Sequence, residues 1–285
     1  MSNQLTHDLQ AASQTLTRPD GDDYQSLAVP EVQKLADSAG LTGREVEIAA
    51  LENGIIPERY TRNMKSLSAA EQIKLLNSKV TIVGLGGLGG TVTEVLARIG
   101  IGELNLIDGD VFEDSNLNRQ ITSTTVNIGI SKADTARERV AQINPGLSVT
   151  THQLFLDEQN AADLISGSDV VVDCLDSLTS RYYLAVACRN GGTPLVVAAV
   201  AGLSGQVTVF FPGDNGFESV YGVPENMPEK GVETQLGNLA PIVGLIANLE
   251  CAEAVKILLG RGTPLRNRML LVDLLESTFE TVDLV

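Results

Sequence analysis

From Val80 onward, hydrophobic and polar positions follow a regular alternation of two patterns. Short β-branched runs, VTIVG (80–84), LNLID (104–108), LSVTTHQ (147–153), DVVVDC (169–174) and PLVVAAV (194–200), are separated by helical stretches that begin near Gly87, Ser131, Asp157 and Asp176. Short apolar strands alternating with helices predict an α/β fold, a doubly wound, mostly parallel Rossmann-like sheet. After Ser204 the pattern changes, and GQVTVFFP, MLLVDLL and STFETVDLV predict a C-terminal antiparallel extension. Between them, PIVGLIANLECAEAVKILLG predicts a helix of about five turns, with Pro241 in its first turn and Gly260 at its end. Its first half is apolar on nearly every face, which predicts burial in the core or at a subunit interface.

The segment before Val80 is organised differently. Residues 1–28 are rich in Gln, Thr, Ser and Asp without periodicity and read as a mobile tail. Residues 29–78 read as an N-terminal helical extension. Thr42 with Glu45, and Ser68 with Glu71, have the spacing of capping boxes, and Asn53-Gly54 is a helix stop. Between these helices, IIPERYTRN reads as a linker carrying Arg59 and Arg62. Residues 79–285 form the remaining domain. Within it, residues 212–238 predict a long Pro/Gly/Asn-rich loop, of the kind that acts as a lid or binding segment.

Composition narrows the function classes. The chain has 285 residues, 43% hydrophobic and 20% charged, enough for a substantial core. No apolar run reaches the roughly 18 uncharged residues of a membrane span. The first residues lack a basic head followed by an apolar stretch, so the expected location is cytoplasmic. A net charge of -16 with no Lys/Arg cluster gives no expectation of DNA binding and disfavours tRNA. Cys174, Cys188 and Cys251 are far apart and form no CxxC pair, and His7 and His152 are the two histidines, so no zinc site is expected. The three cysteines read as small buried hydrophobes.

The candidate chemistry lies between Val80 and Gln120. Gly84-x-Gly86-x-x-Gly89 follows a strand and opens a helix, where glycines allow a sharp turn and the helix N-terminus offers free N–H donors to phosphate. Asp108 ends the next strand, nineteen positions after Gly89, where an acid accepts hydrogen bonds from ribose hydroxyls. The segment SNLNRQ then supplies Asn116 and Arg119, the latter a planar fork for phosphate oxygens. Lys132 falls in the first turn of a helix and opposes its dipole, either as a solvated end or facing a phosphate. Two basic groups and an amide around one phosphate loop suit a triphosphate better than a nicotinamide. Asp176 follows a strand and precedes a helix. It is either an N-cap or a carboxylate placed to hold Mg²⁺ against phosphates.

Taken together, Arg59-Tyr60-x-Arg62-Asn63, VGLGGLGG, LIDGD, SNLNRQ, GISKA, DCLDS, AAVAG with GQVTVF, and APIVGLIANLECAEAVKILLG resemble the ThiF/MoeB/HesA family, bacterial relatives of ubiquitin-activating enzymes. The resemblance runs from residue 59 to the C-terminus. It implies that residues 79–285 are an ATP-binding adenylation domain, with 212–238 as a crossover loop. It also implies adenylyltransferase activity, in which a carboxylate attacks the α-phosphorus of ATP with release of pyrophosphate. The usual substrate is the C-terminal glycine of a small ubiquitin-like sulfur carrier of the MoaD or ThiS type, in molybdopterin or thiamine biosynthesis. By the same resemblance, Gly84, Gly86, Gly87, Gly89, Asp108, Asp110 and Asn116 bind the nucleotide. Arg119 and Lys132 hold the triphosphate, Asp176 is tied to Mg²⁺ and catalysis, and Arg62 reaches the neighbouring subunit of a homodimer. The chain departs from many relatives in lacking the two zinc CxxC pairs and any cysteine between Phe211 and Pro241. Adenylation without a covalent cysteine step is therefore expected. Alternatives are a zinc-free relative activating a small-molecule or tRNA-nucleoside carboxylate, and a non-catalytic carrier-binding adapter.

Overall fold

The structure, a computed structural model, describes residues 3–214, 216–222, 231 and 233–284. Its first correction concerns the expected tail. Helix α1 (Asn3–Ala12) is followed by strands β1 (Gln14–Thr17) and β2 (Asp23–Leu27), paired antiparallel. Helices α2 (Val29–Ala39) and α3 (Gly43–Glu52) come next, then strand β3 (Ile55–Pro57), which pairs parallel with β2. Residues 3–57 are therefore one small module, not a tail joined to a helical extension. The reason lies in Leu5 and Leu9, four residues apart on α1. They pack with Leu27, Val32, Leu35, Val46 and Ile55 into a core of their own.

Both predicted capping boxes are present. Thr42 and Ser68 accept from the backbone N–H of Glu45 and Glu71, whose side chains accept in return from the cap backbone. The stretch IIPERYTRN is not a linker. It holds β3 and a 3-10 turn at Glu58–Tyr60, with Tyr60 fully buried. Helix α4 (Ala69–Leu76) then leads into the large sheet.

Along the chain come β4 (Lys79–Val83), α5 (Gly87–Ile99), β5 (Glu103–Ile107), α6 (Lys132–Ile143), β6 (Ser148–His152), α7 (Ala161–Leu164), β7 (Val170–Asp173), α8 (Leu178–Gly191) and β8 (Leu195–Ala201). The helix expected from Asp157 shrinks to the single turn of α7, because the Asp157 carboxylate accepts from the N–H groups of Gln159 and Asn160 and holds a turn there. Strand β9 (Ser204–Phe210) precedes short helices α9 (Glu218–Tyr221) and α10 (Glu233–Leu236), then α11 (Ala240–Leu259), β10 (Arg268–Asp273) and β11 (Thr278–Asp283). The eight strands run in the order β11-β10-β9-β8-β7-β4-β5-β6. Strands β6 to β8 are parallel, while β8–β9, β9–β10 and β10–β11 are antiparallel. This is the predicted fold.

Helix α11 is buried against α5, α4 and the sheet through Ile242, Val243, Ile246, Ala247 and Ala254. Among the described residues no helix is long and apolar enough to cross a membrane. The loop expected over 212–238 begins with ordered structure, a turn at 212–214 and α9; its residues 215, 223–230 and 232 lie outside the described residues.

Candidate functional site at the sheet switch point

The chain runs from β4 outward to β5 and β6 in one direction, then crosses to β7 and β8 in the other. Strand order reverses between β4 and β7, the switch point beyond whose strand carboxyl ends doubly wound sheets form their ligand crevice. The glycine loop leaves β4 on one side of this crevice. Asp176 follows β7 on the other.

The glycines divide by cause. Gly84 has φ +87° and its missing Cβ would lie 2.6 Å from the Cys174 carbonyl oxygen, so the turn is packed against the end of β7. A Cβ on Gly89 would come within 1.7 Å of the Gly84 carbonyl oxygen. Gly87 packs against Val243 of α11. Gly86 is the N-cap of α5, and no side chain caps this helix end. Its first-turn N–H groups are free of a side-chain acceptor, an arrangement suited to an anion.

Asp108 stands at the end of β5, buried, and bridges the two loops. One carboxylate oxygen accepts from Leu85 N at 2.6 Å, the other from Asp110 N at 2.8 Å. Burial raises its pKa against the pull of these N–H groups and of Lys132. Each oxygen keeps a second lone pair for a further donor. Beside it, the ring of Phe155 lies over Gly109, where a Cβ would come 2.8 Å from the ring, and remains 67% exposed.

Lys132 resolves one open alternative. It is only 7% exposed, not a solvated helix end, and its Nζ lies 2.9 Å from an Asp110 carboxylate oxygen. Ser131, the N-cap of α6, accepts from Asp134 N. Asn116 is buried, and its side-chain oxygen accepts from Glu113 N, fixing the turn that carries Arg119. Arg119 Nη1 donates to Ser115 O and Asn118 Oδ1. Asp176 is exposed, and the cap of α8 is Ser177, which accepts from Ser180 N. Among the described residues Asp176 has no hydrogen-bond or ion-pair partner, so its carboxylate is available. The structure thus gathers the glycine loop, Asp108, Asp110 and Lys132 at one edge. It sets Asn116 and Arg119 on the loop after β5, and Asp176 across the crevice. Arg62 lies apart, exposed on the segment after Tyr60.

Sequence reasoning passed over three residues. Gln120 is 5% exposed, its amide nitrogen faces Gly86, and its buried Oε1 has no partner among the described residues. Its place at the end of SNLNRQ was the available signal. Asp173 and Arg181 form a fully buried ion pair below Asp176, with Arg181 Nε 2.8 Å from the carboxylate and Nη2 donating to Ala198 O at 2.6 Å. Arg181 also lies under the stacked rings of Phe217 and Tyr221, at the start of the crossover segment. Cys174 is half-buried, and Cys188 and Cys251 are buried. Burial pushes the thiols of Cys174, Cys188 and Cys251 well up, and the carboxyl of Glu250 or Asp173 nearby adds to it.

Comparison with known proteins gives the chain's relatives and its family. A relative from Haloferax volcanii named SAMP-activating enzyme E1 is 37% identical over 230 residues, covering 79% of this chain and 84% of the relative. The molybdopterin-synthase adenylyltransferase of Escherichia coli K12 is 34% identical over 231 residues, covering 80% of this chain and 92% of the relative. In fold, a crystal structure of E. coli MccB with MccA-N7isoASN superposes with a TM-score of 0.70 at 24% identity, over 79% of this chain and 72% of that one. The ThiF family model matches residues 60–284, and the chain belongs to the ThiF family.

Proposed function

We propose that the protein is an ATP-dependent adenylyltransferase that activates the C-terminal glycine carboxylate of a small MoaD/ThiS-like sulfur carrier. The observation that carries this reading is the pairing across the switch point: an uncapped helix N-terminus with Lys132 on one side, and the free carboxylate of Asp176 on the other. The names of the two relatives, an adenylyltransferase and an activating enzyme, support the same reaction class.

In this reading Asp108 accepts from the ribose hydroxyls, and Phe155 offers the base an apolar face. The N–H groups of Gly86, Gly87 and Gly89 turn towards the phosphates. Asn116, Arg119 and Lys132 neutralise the triphosphate, with Asp110 keeping the Lys132 ammonium in place. Mg²⁺, a hard cation that takes one or two carboxylates together with substrate phosphates, fits Asp176 and supplies charge neutralisation at the reacting phosphate. The chain's own work is positioning and electrostatic stabilisation, which is most of what phosphoryl chemistry requires. Arg62 serves the neighbouring subunit of a homodimer. The product leaves as the acyl-adenylate, since none of the three cysteines is activated. The protein works in the cytoplasm, without DNA or membrane partners, and its net charge of -16 disfavours tRNA.

ATP–pyrophosphate exchange tests the proposal. Exchange should depend on a carrier ending in Gly-Gly, and Asp176→Ala should lower it at least 100-fold, on the order of a lost catalytic electrostatic group, with fold and dimer intact. Exchange with a small carboxylate but no carrier response would instead favour a small-molecule enzyme. A folded dimer that binds carrier without exchange would mark an adapter. Unchanged exchange in Asp176→Ala would remove its role.

A further inference from the structure

The N-terminal module lies outside the stretch matched by the family model, yet it bonds to the segment that carries Arg62. Three of its elements reach that segment. From α3, the fully buried Glu47 places one oxygen 2.9 Å from Arg59 Nε, and the other accepts from the Tyr60 hydroxyl at 3.1 Å. From β2, Ser26 Oγ and Tyr24 OH both donate to one Glu58 oxygen, at 2.6 and 3.1 Å, and the same oxygen accepts from Thr61. From the β1–β2 turn, Asp20 pairs with Lys65. The catalytic domain holds the same segment from below. Asn144 donates to Tyr60 OH at 2.8 Å, Arg59 donates to Ile143 O, and Asn63 donates to Gln72, which in turn donates to Ile99 O.

Arg62 sits between these clamps. Residues 58–61 are tied before it and residues 63 and 65 after it, while Arg62 itself is exposed and has no hydrogen-bond or ion-pair partner among the described residues. A long, exposed arginine on a loose loop would lose much of its effect to conformational averaging. Fixing its backbone on both sides leaves only the side chain to order on binding phosphate. We propose that residues 3–57 brace the Arg62 arm, and that Glu47 is the positioning residue that locks the arm's base by holding Arg59 and Tyr60. The inference rests on the reading that Arg62 acts on the nucleotide of a neighbouring subunit.

Mixed dimers test it in ATP–pyrophosphate exchange. Glu47→Gln keeps shape and the acceptor for Tyr60 but removes the charge facing Arg59. It should lower kcat/KM for ATP on the order of 10-fold, since small misplacements of a positioned group carry large rate costs. Added to Arg62→Ala, it should cost nothing more. Mixed with Asp176→Ala subunits, Glu47→Gln subunits should regain activity, because the intact arm of one subunit then serves the intact crevice of the other. Mixed with Arg62→Ala subunits, they should not. A Glu47→Gln defect that is additive with Arg62→Ala, or that Asp176→Ala fails to complement, would place the fault in the subunit's own crevice and overturn the brace. Lys65→Ala, on the surface, should show the same pattern more weakly even if Glu47→Gln folds poorly. Failure of Arg62→Ala to complement Asp176→Ala would instead remove the cross-subunit reading on which the brace stands.

Discussion

At the scale of single residues, the charges that matter are those with no access to water. Asp173 and Arg181 are both buried, each the other's main compensation, and the guanidinium meets a second acceptor at Ala198 O. Removing one member of such a pair leaves an uncompensated charge, with typical costs of about 3–5 kcal/mol. Arg181→Ala should therefore lower stability by roughly that amount in urea denaturation. Arg181→Lys should recover only part, because a point ammonium cannot serve Asp173 and Ala198 in the forked geometry. A loss below about 1 kcal/mol, the scale of exposed ion pairs, would mean the charges are not buried together. Phe155 is a contrasting case, since its ring is exposed. Phe155→Ala should leave the melting temperature unchanged while weakening ATP binding by titration on the order of 10-fold, a typical value for one lost stacking contact. Unchanged affinity would remove the ring from the base site without touching the adenylation reading.

At the scale of elements, the glycine loop is held as much by packing as by ligand geometry. The clash at Gly89 is with backbone, at Gly84 with backbone on a positive-φ turn, and at Gly87 with one methyl of Val243. Backbone cannot retreat as a side chain can. Alanine substitution should therefore destabilise most at Gly89, strongly at Gly84 and least at Gly87, where improved helix propensity returns about 1 kcal/mol. Thermal melts without nucleotide check this order; equal melting temperatures would mean the glycines serve only the ligand. Elements whose cause is local are the ones legible in the sequence. Two capping boxes, five β-branched strands and the Pro241–Gly260 helix each carry their signal within a few residues. The N-terminal module does not. QTLT and DYQSL are short, polar strands with no alternation, and Leu5 and Leu9 become a core only when Leu27 and Ile55 arrive from elsewhere.

At the scale of the whole molecule, the N-terminal core meets one of the two cores of the large sheet through a polar joint. The candidate site motifs are each contiguous, whereas Glu47 and Arg181 acquire their roles from distant partners. Glu47 sits in the joint, faced by Arg59 and Tyr60, and Asn144 donates to the same Tyr60 hydroxyl. Burial pushes its carboxyl from an ordinary 4.5 up to about 7, with Arg59 and the Tyr60 hydroxyl pulling the other way. Between those values the folded protein holds a proton that the unfolded chain has lost. Stability from this group is thus full below about pH 4.5, falls as pH rises towards 7, and is flat above; the span converts to roughly 3 kcal/mol at most. Glu47→Gln is neutral throughout and should lack this slope. Comparing the two proteins by urea denaturation from pH 5 to 8, the variant should gain on the parent as pH rises. Parallel curves would mean Glu47 does not titrate across this range. Above pH 7, where the parent carboxylate is ionised, the activity loss of the variant should be greatest, because only then does a charge hold Arg59. An activity that falls behind the parent while relative stability gains on it separates a residue kept for positioning from one kept for stability.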